Sequence, residues 1–320
     1  MSHLRHQKYR KFAFYLRGFF EYLFVPDVIY RKRILKWFDL TGNYDSEELE
    51  FRVNYYNKLD SRFSVPDKAL ALGQLPKKSK TYFFDLRRVL RYFPSLVRSY
   101  FRFGDIVDSN VVPGFVKTRP ICDSNTNSVL LRLEGLRHFT QINDELSYRQ
   151  KKDTLVWRGV VYAEHRSILF RKYLGHPLFD IGMTNRKKSQ EPEVESWRRP
   201  YMSISEQLEH KFILSIEGND VATNLKWIAQ SNSLCLMTKP KIESWFMEGT
   251  LIAGKHYVEV RDDYADLLEK IEYYLRHPDD AEQIIINFQR YYQQFTDLKK
   301  EQLIGLLVAK KYFSLSGQLV

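Results

Sequence analysis

Ser203-Ile-Ser-Glu-Gln-Leu-Glu-His-Lys-Phe-Ile-Leu-Ser-Ile-Glu-Gly218, then Asn219-Asp220 and Thr223-Asn224-Leu225-Lys226-Trp227, is the stretch that decides the fold. Phe212 to Ile216 is a short apolar run that stops at Glu217-Gly218, and polar residues then open a helix over 222–230. A strand ending at glycine before a helix is how an α/β domain presents backbone to phosphate. The same alternation extends both ways. Strands are expected at 154–158, 178–181, 212–216, 233–237 and 256–260, and helices at 163–174, 203–210, 222–230, 242–248 and 263–276. Short links between alternating strands and helices predict a parallel, Rossmann-like sheet. A polar insert over 185–199 reads as a loop, Asp279-Asp280 caps a helix reaching about Phe295, and 297–312 reads as a last helix.

The first half is less regular. Phe12, Tyr15, Leu16, Phe19, Phe20 and Leu23 recur at helical spacing. That pattern fits a helix packed on its own domain, or an interfacial helix with aromatic side chains in lipid. Residues 43–65 read as polar helix and turn, and Thr81 to Phe84 as a short strand. From Asp85 to Phe103 the chain carries Arg87, Arg88, Arg91, Arg98 and Arg102, split by Pro94 into two helical pieces. This run reads as a solvated basic face, or as a patch for acceptor phosphate or membrane. Glycine and proline punctuation over 102–133 suggests strands with functional loops. The expected domains are 1–150 on the acceptor side, 151–295 on the donor side, and a helical tail over 296–320.

The 320 residues, 44% hydrophobic and 15% aromatic, are enough for two cores. No run approaches the roughly 18 apolar residues that span a bilayer. Cys122 and Cys235 stand far apart without metal-ligand spacing, which fits thiols in a reducing compartment and favours the cytoplasm. The net charge of +11 is uneven: residues 1–40 hold nine Lys/Arg against Glu21, Asp27 and Asp39. A polyanionic partner follows, either an anionic membrane face, a phosphorylated acceptor or nucleic acid.

Several motifs are decoys or missing. Gly249 to Lys255 imitates a phosphate loop, but His256 stands where Ser/Thr should hold Mg²⁺, and a strand follows. There is no Gly-X-Gly-X-X-Gly, Asp-X-Asp, His-Glu-X-X-His or Gly-X-Ser-X-Gly, and the eight histidines show no ligand spacing. What remains is basic: Arg158-Gly159, Arg166, Lys211 and Lys226 lie beside strand–helix turns. Such groups could neutralise a diphosphate without metal.

At these residues the chain resembles glycosyltransferase family 90. Members include bacterial lipopolysaccharide core transferases of the LpsA type, fungal capsule-associated transferases and animal protein O-glucosyltransferases. The resemblance covers roughly 100–295. It rests on Trp157-Arg158-Gly159 with Arg166, His210-Lys211-Phe212, Glu217-Gly218-Asn219-Asp220, Thr223-Asn224-Leu225-Lys226-Trp227, Ser231-Asn232-Ser233, Glu243-Ser244-Trp245 and His256-Tyr257-Val258. It implies two Rossmann-like domains facing a cleft (GT-B), a UDP-sugar donor, inversion at the anomeric carbon and no metal. It places Arg158 and Arg166 at the diphosphate, Gly218, Asn219, Asp220, Thr223, Asn224 and Lys226 in the nucleotide turn, and Glu243 on the ribose. Asn224 departs from the Arg of animal members, which moves that phosphate contact to Lys226, Thr223 or backbone N–H groups. Asp105 matches the family's base, with Asp108 as fallback.

The resulting expectation is a hexosyltransferase, using UDP-glucose or UDP-galactose, that acts on a lipopolysaccharide or lipooligosaccharide inner core as a peripheral protein at the cytoplasmic membrane face. Transfer from UDP-xylose or another UDP-sugar to a different polysaccharide or protein is the enzymatic alternative. A basic nucleic-acid-binding protein is the alternative of another class.

Overall fold

A computed structural model describes residues 2–76, 80–133 and 135–319. It is a mixed α/β chain with parallel sheets and long C-terminal helices. Contacts divide it into two compact units, and neither follows the chain continuously. Unit 1 comprises Met1–His138, Lys241–Gly249 and Phe295–Val320, and unit 2 comprises Phe139–Pro240 and Thr250–Gln294.

Unit 2 is built on five parallel strands: β1 (Lys152–Gly159), β2 (Phe179–Met183), β3 (His210–Ser215), β4 (Leu234–Thr238) and β5 (Val258–Val260). Their spatial order is β5-β4-β3-β1-β2. Phe212, Ile213 and Leu214 in β3, and Leu234 and Leu236 in β4, are wholly buried. Continuous apolar strands of this kind belong to a sheet covered on both faces. Helices Glu164–Tyr173, Leu267–Arg276 and Pro278–Gln293 add Leu169, Phe170, Leu267, Ile271, Ala281 and Ile284 to one core. The five strands fall where the sequence pattern predicts them. The order reverses between β1 and β3, so the two chain exits there diverge and leave a crevice at the carboxyl edge.

Four segments differ from expectation between 185 and 248, the first being the insert expected as a loop, which carries a short helix, Pro192–Ser196. The helix predicted over 222–230 is one turn, Leu225–Ile228, because the polar loop from Gly218 to Asn224 takes up the chain and Ser231 Oγ closes on the Ile228 carbonyl at 2.8 Å. The helix predicted over 203–210 is likewise only Ile204–Gln207. Where a helix is predicted over 242–248, Ile242–Ser244 form a strand paired antiparallel with Thr118–Pro120 in unit 1. The apolar spacing of this segment is helical, but Trp245, Phe246 and Met247 bury themselves in loop geometry, with Met247 at φ 57°.

Unit 1 holds a small parallel sheet, with Gly114–Val116 between Phe101–Arg102 and Ser128–Leu130. The helix Leu298–Leu315 runs through its core, with Leu303, Ile304, Leu306, Val308, Ala309, Tyr312 and Phe313 wholly buried. A helix apolar on most sides is an interior helix, so the segment expected to be a tail is the centre of this unit. Asp297 caps it, accepting from the Lys299 and Lys300 N–H groups at 2.9 and 3.1 Å. The strand predicted at 81–84 is instead part of the helix Lys80–Leu90, which buries Phe83, Phe84, Leu86 and Leu90. The second helical piece expected after Pro94 is extended, forming Arg98–Ser99 and Phe101–Arg102.

The arginine run has a role that its composition does not suggest. Arg87 bonds Asp27 at 2.5 Å, and Arg91 bonds Glu21 at 2.7 Å while lying over the Tyr30 ring. Both arginines are buried. Arg88 lies over Phe14, and Arg102 grips Asp108 with two nitrogens. The run is mostly an internal fastening for the N-terminal helices rather than a solvated face or a phosphate patch.

Candidate functional site

The Trp-Arg-Gly motif and the distant Arg166 form one packed cluster at the β1/β3 crevice. Trp157 folds its ring back over Gly159, where an added Cβ would lie 2.4 Å from the ring. The Arg166 guanidinium stacks over that ring, 5.5 Å from a ring centroid. Its Nη1 donates to the Val160 carbonyl at 2.5 Å, and Nη2 donates to the Ile216 and Glu217 carbonyls at 3.1 and 3.0 Å. One side chain thus ties the exit of β1 to the exit of β3. Gly218 admits it, since a Cβ there would sit 3.1 Å from Nη2. His165 Nε2 adds a contact to the Glu217 carbonyl at 3.0 Å.

Every acceptor around Arg166 is a carbonyl. Among the described residues no carboxylate reaches ion-pair distance of it. Burial pushes its pKa below the ordinary arginine value, while guanidinium still keeps its proton. A largely desolvated cation without a counter-ion favours an anionic ligand.

The two edges of the sheet differ in charge pairing, although Arg158 and Arg261 at the carboxyl edge bond Asp180 and Asp263 at 2.6 and 3.2 Å. At the amino edge Lys211 pairs with Asp153, Lys152 with Glu209 at 2.7 Å, and Lys151 with Asp144 at 2.7 Å. Lys211 is the second residue of β3, so it lies near a strand's length from the crevice where Arg166 sits. At the carboxyl edge Arg186, Lys187 and Lys188 follow β2 and Lys239 follows β4. All four are exposed and, among the described residues, none forms an ion pair. Sequence reasoning passed over these four. The signal was available in Lys239-Pro-Lys directly after an apolar strand and in the Arg-Lys-Lys that opens the polar insert.

The other candidates divide. Arg158, whose side chain is 7% exposed, bonds Asp180 Oδ1 at 2.6 Å and the Asp180 carbonyl at 2.7 Å, which fastens it to β2. Asn224 accepts from Ser215 Oγ at 3.1 Å and donates to the Leu214 carbonyl at 2.9 Å. The residue standing where animal members carry Arg therefore stitches the loop to β3. Lys226 is wholly buried and Asp220 is buried, whereas Asn219 is exposed and Thr223 half-buried. The Gly218 N–H donates to the Asp220 carbonyl at 2.8 Å, closing a tight turn beside Arg166.

Glu243 belongs to unit 1, where it is buried between Arg119 Nε, at 2.6 Å, and the Tyr55 hydroxyl. Arg119 also donates to the carbonyls of Tyr55, Tyr56 and Ser128. Next to it, Trp245 stacks on Tyr56 at 3.8 Å, and Arg52 bonds Glu301 at 2.6 Å. The Glu-Ser-Trp motif is thus part of a buried ionic and aromatic clamp.

Asp105 also lies in unit 1, past the end of the strand Phe101–Arg102. Gly104 precedes it at φ 114°, a turn that an L side chain rarely adopts. Asp105 is one-third exposed and accepts from Lys117 Nζ at 2.7 Å. Asp108 is exposed, and the two-pronged contact with Arg102 lowers its pKa. Among the described residues no three His, Cys, Asp or Glu side chains converge in a metal-type cluster.

Residues 130–305 match the model of glycosyl transferase family 90. O-glucosyltransferase LpsA of Dichelobacter nodosus is 47% identical over 268 residues, covering 83% of each chain. Protein O-glucosyltransferase 3 of Homo sapiens is 27% identical over 164 residues, covering 50% of this chain and 32% of that protein. The chain belongs to glycosyl transferase family 90 and is a transferase enzyme.

Proposed function

We propose that this enzyme moves a hexose from a UDP-sugar to a sugar hydroxyl of a lipopolysaccharide or lipooligosaccharide inner core, with inversion at C1. The similar bacterial protein is named an O-glucosyltransferase, which favours glucose over galactose. The observation that carries the donor assignment is Arg166, a cation without a carboxylate partner at the strand-order reversal of unit 2. The diphosphate sits against Arg166 and the turn at Gly218, with the unpaired cations that follow β2 and β4 drawing it to the carboxyl edge. These cations meet the leaving-group charge without a metal. Arg158 and Asn224 act by holding the strand ends and the loop, and Glu243 by holding unit 1.

In a GT-B arrangement unit 2 binds the donor and unit 1 supplies the base. The acceptor hydroxyl oxygen attacks C1 and its proton passes to Asp105. The bond from C1 to the diphosphate oxygen breaks, and UDP leaves with that electron pair. The two thiols are unpaired, Cys122 exposed and Cys235 buried, which suits the reducing cytoplasm where we place the reaction.

The test is UDP release from UDP-glucose, UDP-galactose and UDP-xylose, with and without truncated core acceptor, and with EDTA. Acceptor-dependent release from UDP-glucose that survives EDTA is the expected result. Release from UDP-xylose alone would redirect the donor assignment, and loss with EDTA would overturn the metal-free reading.

A further inference from the structure

The helix Ser2–Phe24 turns its larger apolar face away from the protein. It docks on the helix Lys80–Leu90 through its narrow side. Gly18 lies so close that a Cβ there would be 2.9 Å from the Phe84 ring. Phe14 meets Phe84 edge-on, Tyr22 meets Phe83, and the Tyr15 hydroxyl is 2.6 Å from Thr81 Oγ1. Glu21 fixes the rotation, held by Arg17 from the same helix and Arg91 from beneath, each at 2.7 Å. With the helix held this way, Tyr9, Phe12, Leu16, Phe20, Leu23 and Phe24 form one outward stripe, each 57–70% exposed.

Six large apolar side chains in a row exceed the scattered hydrophobics of an ordinary surface. The stripe is convex, so it is not a groove for a peptide. Val28, Ile29 and Leu35 of the next two short helices are exposed as well. Arg17, beside the stripe on the same helix, has 72% of its side chain exposed, and Lys32, Arg33 and Lys36 of the following segment are exposed. An aromatic stripe edged by lysine and arginine matches the boundary between acyl chains and anionic headgroups. No described helix is long and apolar enough to cross a membrane.

We infer that residues 9–36 are a membrane-docking surface, with the stripe of the first helix lying in the plane of an anionic bilayer and its cations at the lipid phosphates. Charge complementarity decides for lipid over a second copy of this chain, because two such surfaces would bring like charges together. The inference stands apart from the donor assignment, since it uses none of the same residues.

Co-sedimentation of the full-length enzyme with phosphatidylcholine vesicles, with and without phosphatidylglycerol, tests it. Binding is expected with phosphatidylglycerol, weakened in high salt and on neutral vesicles. Leu16→Gln with Phe20→Gln should lower partitioning at least about tenfold, since both side chains leave the lipid, with circular dichroism unchanged. Lys32→Glu with Arg33→Glu should remove the preference for anionic lipid. Wild-type protein that ignores vesicles, or an apolar double variant that sediments like wild type, would overturn the inference. So would a wild-type dimer in sedimentation velocity that the apolar double variant converts to monomer, which would assign the stripe to a second copy.

Discussion

Unit 1 and unit 2 use the same residue types in opposite ways. In unit 2 the charges at the amino edge of the sheet are paired, while the carboxyl edge is mixed: Arg158 and Arg261 are paired, but Arg166, Arg186, Lys187, Lys188 and Lys239 form no ion pair with a carboxylate among the described residues. In unit 1 the most buried cations are closed pairs: Arg52 with Glu301, Arg119 with Glu243, Arg91 with Glu21. A paired cation holds structure together, whereas a partly buried cation without a counter-ion is available to a ligand. Basic residues are abundant in both units, so the amount of charge does not locate a site. Its pairing does.

The sharpest way to break this comparison is Asp105→Asn. If unit 1 supplies only the base, turnover falls by about 10²–10⁴ while UDP affinity in calorimetry stays within experimental scatter. Full turnover would remove Asp105 from the chemistry. Next is Glu301→Ala, which removes the carboxylate that the buried Arg52 and the Trp245 N–H both bond. A loss of about 3–5 kcal/mol is expected in chemical denaturation, against little change from Lys211→Ala, whose partner Asp153 is exposed. Arg166→Ala comes third. Charged hydrogen bonds worth about 1.5–3 kcal/mol predict UDP binding weaker by roughly ten- to hundredfold, with Arg166→Lys recovering part. Weaker binding from Lys211→Ala but not from Arg166→Ala would invert the assignment of the two edges.

The smallest effect concerns the docked helix. Burial raises the Glu21 pKa, but the Arg17 hydrogen bond and the charges of Arg17 and Arg91 outweigh it, so the net shift is below the ordinary 4.5. A depressed carboxylate stabilises the fold fully above its unfolded pKa and loses that contribution as pH falls through the folded value. Protection of the amides of residues 14–22 in hydrogen exchange should therefore hold at neutral pH and decline below about pH 4.5. In Glu21→Gln the same amides should be less protected at neutral pH, with a weaker acid response.

Much of unit 2 was legible in the sequence because its strands are short apolar runs between polar links, and each signal is local. Trp157-Arg158-Gly159 and Glu217-Gly218 likewise marked the crevice. The failures share a cause. Thr81 to Phe84 reads as a strand by composition, yet those aromatics pack as one face of a helix. Ile242 to Glu248 has helical spacing, yet a strand 124 positions away, at Arg119, claims Glu243. Asn224 stood where an arginine was expected, and its hydrogen bonds to β3 could not be read from its neighbours.

By itself the sequence determined the alternating β/α order, the basic balance, and the residues that mark the family, since these depend on side-chain type and spacing along the chain. Only the tertiary structure decided which cations are paired, that Glu243 works inside unit 1, and that the aromatic stripe of the first helix faces outward. Those properties depend on distances between residues far apart in the chain, such as Arg52 and Glu301, separated by 249 positions yet 2.6 Å apart. Coulomb and hydrogen-bond energies depend on separation in space, so the same arginine codes for a fastening or a ligand contact according to what the fold brings beside it.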